Sequence, residues 1–183
     1  MRVMRRLAFC LIPVLALAQP VPDKRAALDK LLDALATAPT EQAAAALEEK
    51  IAQGWVGAST PAVTLLMARG LRDLAAGAHA DAVTVFDDAI VLDPGLAEAW
   101  HRRASAKFMA GDAPGAVRDI QEALRLEPRH FGAWRTLERV AEGREDWKAA
   151  YSARKHLLDI DPRSPGGAAR LKDLKRKAFG DAT

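Results

Sequence analysis

Apolar residues recur at intervals of three and four along most of the chain, which is the spacing of one face of an α-helix. In positions 97–110, for example, Trp100, Ala104 and Phe108 lie on one stripe. Glycine or proline interrupts each stretch, as at Gly111 and Pro128, because neither residue continues a helix well. Aromatic residues make up only 5% of the chain, which is unusual for a β-sandwich. The pattern therefore predicts an all-α chain of short helices.

The helical stretches repeat with a period of 34 residues, and each copy divides into two helical halves around a glycine-containing turn. An acidic residue and an aliphatic residue precede the proline that ends each copy. The residues that carry this period are Pro94, Pro128 and Pro162; Trp100 and Trp134; and Ala82, Ala116 and Ala150.

These columns resemble the pattern of the tetratricopeptide repeat (TPR) family, with matching copies at 63–96, 97–130 and 131–164 in a repeat region of 60–164. The resemblance implies a right-handed superhelical solenoid of helix-turn-helix repeats. The third copy departs from the pattern, because Glu138 stands where a small residue is expected. Arg154 likewise stands where the earlier copies have Phe86 and Ile120. A degenerate last repeat is expected where the solenoid meets solvent or a capping helix.

The flanking segments predict additional helices. Residues 19–59 read as an N-terminal hairpin, either a cap or a degenerate repeat, with helices at 23–36 and 41–53. Thr40 is expected to cap the second helix, and 54–59 to form a linker whose Trp55 packs into the first repeat. Residues 165–183 read as a capping helix, with Ser164 and Pro165 at its start and an apolar face that includes Phe179.

The first 18 residues have the pattern of a secretory signal peptide. Arginines at positions 2, 5 and 6 precede an uncharged apolar run, and Ala16, Leu17 and Ala18 form a cleavage motif. Cleavage after Ala18 predicts a periplasmic or secreted protein; an uncleaved anchor is the alternative. Cleavage would also remove three cations, no acid and Cys10, the one cysteine of the chain. The remainder would be neutral, so its net charge gives no support for nucleic-acid binding.

No catalytic motif is present: the chain lacks GxSxG, HExxH, a phosphate-binding loop and a dinucleotide-binding glycine run. Glu98 and His101 form a single ExxH pair, whereas di-iron bundles need two such pairs and two further carboxylates. We therefore expect an exposed polar helix face there, with no catalytic residues, no cofactor and no metal. His130 is expected in an inter-helix turn.

The remaining candidate is a surface. The TPR resemblance implies that the first helix of each repeat lines a concave groove, which here would run from an apolar end to a cationic end. The family's C-terminal carboxylate clamp is not expected, because Met67, Leu71, Gly132 and Thr136 stand at clamp positions where only Arg102 fits. The expected groove residues are Met67, Leu71, Leu74, Glu98, His101, Arg102, Ser105, Phe108, Met109, Arg135 and Arg139.

These features indicate a non-enzymatic interaction module or scaffold that binds a peptide segment or helix of an envelope protein in its groove. The partner is a protein or peptide, not nucleic acid, and no membrane span is expected after signal cleavage. The alternative is a structural or self-associating protein whose groove is filled in cis by the N-terminal hairpin, and a homo-oligomer is compatible with it.

Overall fold

The computed structural model describes residues 24–180, which contain nine α-helices and no strand. The predicted all-α solenoid is confirmed, and the predicted signal peptide lies outside the described residues. No helix within 24–180 is both long enough and apolar enough to cross a bilayer. The helices are α1 (Lys24–Ala36), α2 (Glu41–Gly57), α3 (Pro61–Ala75), α4 (His79–Leu92), α5 (Ala97–Met109), α6 (Ala113–Leu126), α7 (Phe131–Gly143), α8 (Trp147–Ile160) and α9 (Gly167–Phe179).

Three helical hairpins, α3–α4, α5–α6 and α7–α8, stack along the solenoid, and small residues let the two helices of each hairpin approach closely. The alanines at 82, 116 and 150 are completely buried. In the first hairpin, the ring of Phe86 lies so close to Gly70 that a Cβ there would come within 2.6 Å of the ring. Close packing of this kind leaves no room for even one added methyl group.

A hydrogen bond links the tryptophan and proline columns of the sequence repeat. The indole nitrogen of Trp100 donates to the carbonyl oxygen of Pro94 at 3.0 Å, and Trp134 donates to Pro128 at the same distance. Each proline lies two residues after the second helix of one repeat, and each tryptophan lies in the first helix of the next. The two columns therefore share one junction, which explains why they keep the same spacing.

The third repeat replaces an apolar contact with a buried ion pair. Glu138 and Arg154 occupy the positions that Gly70 and Phe86 hold in the first repeat, and their side chains are 6% and 4% exposed with 3.5 Å between Nη1 and Oε2. Arg154 also donates to the carbonyl oxygen of Pro165 at 2.6 Å. Arg170 of α9 reaches Glu138 Oε1 at 3.2 Å. The departure from the repeat pattern thus provides the polar contacts that hold α9.

The N-terminal hairpin differs from the prediction in two respects. Helix α2 continues through Gly54 to Gly57, so the predicted linker is wrong over those residues. Gly54 serves close packing instead, because a Cβ there would lie 2.6 Å from Leu28 Cδ2 of α1. The placement of Trp55 was also wrong: its ring stacks on His130 and packs against Phe131, at the start of the third repeat. The predicted cap is confirmed, since the side chain of Thr40 accepts from the Ala43 N–H at 3.1 Å.

Helix α9 begins later than the sequence predicted. Its N-cap is Gly166, in a left-handed conformation with φ of 81° that favours glycine, and Ser164 and Pro165 precede the helix. Leu174 is completely buried between α7 and α8 residues, but Phe179 is 59% exposed instead of lying on the buried face. The last turn of α9 still touches α8, because the Phe179 ring meets Tyr151 edge-on with 5.4 Å between centroids, but most of the ring stays exposed.

Candidate functional site: the concave cleft

A cleft of about 310 Å³ lies between α2 and the first helices of the second and third repeats, α5 and α7. We call it the concave cleft. Trp55 and Phe131 form part of its apolar wall, and Glu48 and Glu49 of α2 face it from the hairpin side. Six of the groove residues expected from sequence line it, namely Glu98, His101, Arg102, Ser105, Arg135 and Arg139.

The other five expected groove residues do not line the concave cleft. Met67 is only 1% exposed and belongs to the core of the first repeat, so it presents no surface to a partner. Leu74 and Phe108 are half-buried against the cores of the first and second repeats. Leu71 and Met109 are 38% and 48% exposed. The predicted apolar end of the groove is therefore much smaller than the sequence suggested.

A buried carboxylate forms the floor of the concave cleft. Glu98 lies 3.3 Å from Nδ1 of His101 and 2.9 Å from Nε2 of His130, and it accepts from Nε of Arg102 at 2.6 Å. Burial raises the pKa of Glu98, but the hydrogen bonds with the two histidines and the charge of Arg102 outweigh it and hold that pKa well below its usual range. The expected exposed polar face at Glu98 and His101 is wrong, because both side chains are buried.

His101 is neutral at physiological pH because of its position in the floor. Its Nε2 lies 3.1 Å from Thr136 Oγ1 on α7, so the ring bridges α5 and α7. Burial lowers the pKa of His101 to about 4, although the hydrogen bond with Glu98 acts in the opposite direction. His130, completely buried at the N-cap of α7, accepts from the Ala133 N–H through Nδ1 at 3.2 Å.

Glu98, His101 and His130 also resemble a metal-binding triad, since their ligand atoms lie within 4.8 Å of one another. The hydrogen bonds favour a different interpretation. His130 accepts at Nδ1, so its ring proton lies on Nε2, the nitrogen that faces Glu98. A metal at Nε2 would displace that proton, and the guanidinium of Arg102 already neutralises Glu98. The cluster therefore fits a network that ties α5 to α7 better than it fits a metal site.

The three arginines of the concave cleft differ in how they are paired. Arg102 is bound to Glu98, and Arg135 forms an ion pair with Glu48 of α2. The guanidinium of Arg139 instead lies 5.8 Å from the centre of the Phe108 ring, and no acidic residue within 24–180 pairs with it. Arg139 is therefore the cation of the cleft that remains available to a carboxylate from outside.

The N-terminal hairpin closes one side of the concave cleft through contacts distant in sequence. Besides the pair of Glu48 with Arg135, Arg129 donates to Asp29 at 2.5 Å and to Asp33 at 2.8 Å. Apolar residues of both hairpin helices form one core cluster with Phe131 and Leu157 of the third repeat. The hairpin thus packs across the solenoid onto the third repeat, and the concave cleft remains between α2, α5 and α7.

Sequence reasoning missed Glu48, Trp55 and His130 as residues of this site. The 34-residue period describes only the repeats. It therefore does not indicate which repeat the N-terminal hairpin contacts. His130 follows Pro128 at a position that reads as a turn, and only the three-dimensional structure places it beside Glu98.

No family model matches the chain. A TPR repeat-containing protein of Rhizobium etli is 28% identical over 156 residues, which cover 85% of this chain and 76% of that protein. Among solved structures, the Sgt2 TPR domain from Aspergillus fumigatus is 24% identical with a TM-score of 0.58, covering 64% of this chain and 80% of that one.

Two further structures are similar. A MamA protein is 20% identical with a TM-score of 0.59, covering 87% of this chain and 85% of that one. The first TPR domain of RPAP3, bound to an HSP90 peptide, is 17% identical with a TM-score of 0.60 over 64% of this chain and 94% of that one. These likenesses show that the chain has the fold of a TPR solenoid.

Proposed function

We propose that this TPR solenoid is an exported, non-enzymatic interaction module that binds a peptide segment or helix of an envelope protein in the concave cleft. The observation that carries the proposal is the cleft itself, about 310 Å³ between α2, α5 and α7, with Arg139 at its side and no acidic partner for it within 24–180. The solved RPAP3 domain, which shares this fold, holds an HSP90 peptide. That likeness supports a protein partner for the present chain.

The side chains of the cleft favour a partner segment that carries carboxylates. The carboxylate of Glu48 already lies on Arg135, so the cleft can hold such a group beside α7. A second carboxylate from a partner would meet the guanidinium of Arg139 and the exposed part of Arg102. The half-buried hydroxyl of Ser105, which lines the cleft, can hydrogen-bond to the main chain of an extended peptide. We therefore expect a segment with at least one acidic residue beside apolar ones.

A peptide-library selection tests this expectation. Immobilised protein should enrich peptides with Asp or Glu next to an apolar residue, and fluorescence anisotropy then gives their dissociation constants. Replacing Arg139→Glu should weaken the best peptides about tenfold or more, equivalent to about 1.4 kcal/mol, because it places a like charge beside the partner's carboxylate.

The matched control is Arg118→Glu, which reverses an exposed charge on α6 that does not line the cleft. It should leave peptide binding unchanged, and both variants should melt at the temperature of the parent protein. Selection of basic or random peptides, or equal losses in the two variants, would refute the binding mode.

The exported location rests on the N-terminal pattern of three arginines, an apolar run and the Ala16–Leu17–Ala18 motif. Fractionation of producing cells followed by N-terminal sequencing tests it. The protein should be recovered from the periplasm or the medium with Gln19 as its first residue. Recovery from the cytoplasm with the first 18 residues still attached would contradict export.

The packing of the N-terminal hairpin favours part of the alternative function. Glu48 of α2 forms an ion pair with Arg135 of the same chain, as expected if the hairpin fills the groove in cis. Helix α2 leaves Arg139 and Ser105 in an open cleft, however, so we propose that the hairpin forms one wall of the binding site instead of replacing the ligand.

A further inference from the structure

Helix α4 presents an acidic face that ends in exposed apolar residues. Asp81, Asp87 and Asp88 are exposed along it, followed by Val91 and Leu92 in the last turn. The side chains of Val91 and Leu92 are 74% and 58% exposed, among the largest values for apolar residues in the described chain. Helix α4 contains no lysine or arginine. We call this surface the acidic face.

Helix α9, at the other end of the solenoid, presents the opposite combination. Lys172, Lys175 and Arg176 are exposed on it, and the exposed ring of Phe179 follows in the last turn. We call this surface the basic face. The helix dipole favours cations near the C-terminus of α9, but it does not account for a phenylalanine that is 59% exposed beside them.

Four of the six charges named on the two faces are available to an outside partner. No oppositely charged side chain within 24–180 pairs with Lys172, Lys175, Asp81 or Asp88. Arg176 pairs with Asp173 of its own helix, at 2.7 Å, and Asp87 pairs with Arg103 of α5. Neither face is fully covered by another described element: one edge of the Phe179 ring meets Tyr151 of α8, with 5.4 Å between centroids, but the side chain remains 59% exposed.

The two faces match in the order and spacing of their groups. On α4, Leu92 follows Asp88 by four residues, and on α9, Phe179 follows Lys175 by four residues. Residues four apart share one side of a helix. When the two helices lie parallel, Asp88 can therefore meet Lys175 while Leu92 and its neighbour Val91 cover Phe179. Apolar burial would supply affinity at one end, and opposite charges would fix the register.

We propose that the basic face of α9 docks on the acidic face of α4 in a second copy of this chain. The two faces belong to different helices, so the contact is head-to-tail, and an open assembly keeps one acidic face unused at one end and one basic face unused at the other. Such contacts generate open chains unless the rotation closes a ring. The mass of the assembly should therefore rise beyond that of a dimer as the concentration increases. This contact is independent of peptide binding in the concave cleft.

Sedimentation velocity over a range of protein concentrations tests the proposal. The mean mass should grow with concentration at low salt and fall in about 0.5 M NaCl, where charges are screened beyond a few ångströms. Lys175→Glu and Asp88→Lys should each weaken association about tenfold, because each brings like charges together. A mixture of the two variants should associate like the parent protein. Wherever one variant contacts the other, opposite charges meet at positions 88 and 175.

Two controls separate this contact from other effects. Arg118→Glu reverses an exposed charge on α6 and should not alter the mass distribution. Arg139→Glu, the cleft variant, should leave self-association intact even if peptide binding is lost. A monomer at every concentration, association that neither face variant weakens, or failure of the mixture to recover would overturn the proposal. Binding of α9 to phosphatidylglycerol vesicles without self-association would overturn it too.

Discussion

At the scale of single residues, the third repeat shows how a polar pair can occupy a position built for apolar packing. Glu138 and Arg154 stand where the first repeat has Gly70 and Phe86, and both are nearly inaccessible to water. Removing one partner of a buried ion pair leaves an uncompensated charge, whereas replacing both with apolar residues is often neutral. The local sequence marked this pair only as a departure from the repeat, because its compensating contacts to Pro165 and Arg170 come from elsewhere.

A double-mutant cycle tests the role of this pair. Arg154→Ile alone should lower the free energy of unfolding by about 3–5 kcal/mol, because Glu138 stays buried with only Arg170 nearby. Adding Glu138→Ala, which recreates the alanine–isoleucine pair of the second repeat, should recover more than half of that loss. Urea denaturation followed by circular dichroism measures both. Additive losses in the double variant would mean that the two residues act separately.

The floor of the concave cleft predicts a pH dependence that can be assigned to His101. The groups that face this ring are Glu98, Arg102, His130 and Thr136. Its pKa of about 4 in the folded protein lies below the value near 6.5 expected for the unfolded chain, so the unfolded chain binds the proton more tightly. The contribution of neutral His101 to the free energy of unfolding is therefore present above pH 6.5 and is lost as the pH falls toward 4, by about 2–3 kcal/mol at pH 4.5.

His101→Gln should lower stability at pH 7 but flatten the decline in the free energy of unfolding between pH 6.5 and 4.5. Asp161→Asn is the matched control, because burial and the nearby carboxylate of Glu48 raise the pKa of Asp161 to about 6, against the charge of Arg135. Protonation of Asp161 thus stabilises the folded state as the pH falls, and removing it should steepen the decline. An unchanged slope in His101→Gln would exclude His101 as the group responsible.

At the scale of helices, most boundaries could be predicted because capping residues and prolines act locally. The start of α2 at Thr40 and the ends of α4, α6 and α8 before their prolines follow from such signals. The predictions were wrong where a contact distant in sequence determines the helix boundary or the packing of a side chain. Gly54 reads as a helix end but allows α1 to pack on α2, and Trp55 packs on the third repeat because the hairpin folds across the solenoid.

The packing of the hairpin on the third repeat can be weakened at Trp55. Trp55→Ala removes a ring that stacks on His130 with 4.2 Å between centroids, and it should cost about 3–5 kcal/mol of local stability. Hydrogen exchange should then lose protection in α1 and α2 while the amides of α5 and α6 keep theirs. Lys50→Ala, an exposed change on the same helix, should leave the exchange pattern unchanged. Equal loss of protection in every helix would show that the hairpin is not a separate unit.

At the scale of the whole molecule, the fold followed from sequence because a repeated pattern supplies the same local signal several times. The candidate site did not follow as completely. Six of its residues were expected from their repeat positions, but the hairpin wall and the buried histidine beside Glu98 depend on how the ends of the chain fold back. Met67 shows that a repeat position alone can also mislead, since it was expected to face the groove but lies in the core of the first repeat.

The most direct test of the central claim, that the concave cleft holds a partner protein, is site-specific photocrosslinking in producing cells. A photoreactive residue at position 45, on the α2 wall of the cleft, should give defined adducts that a selected acidic peptide suppresses. The same residue at position 118 on α6 should give none of them. Crosslinks from position 45 only to α5 or α7 of the same chain, or identical adducts from both positions, would contradict the account.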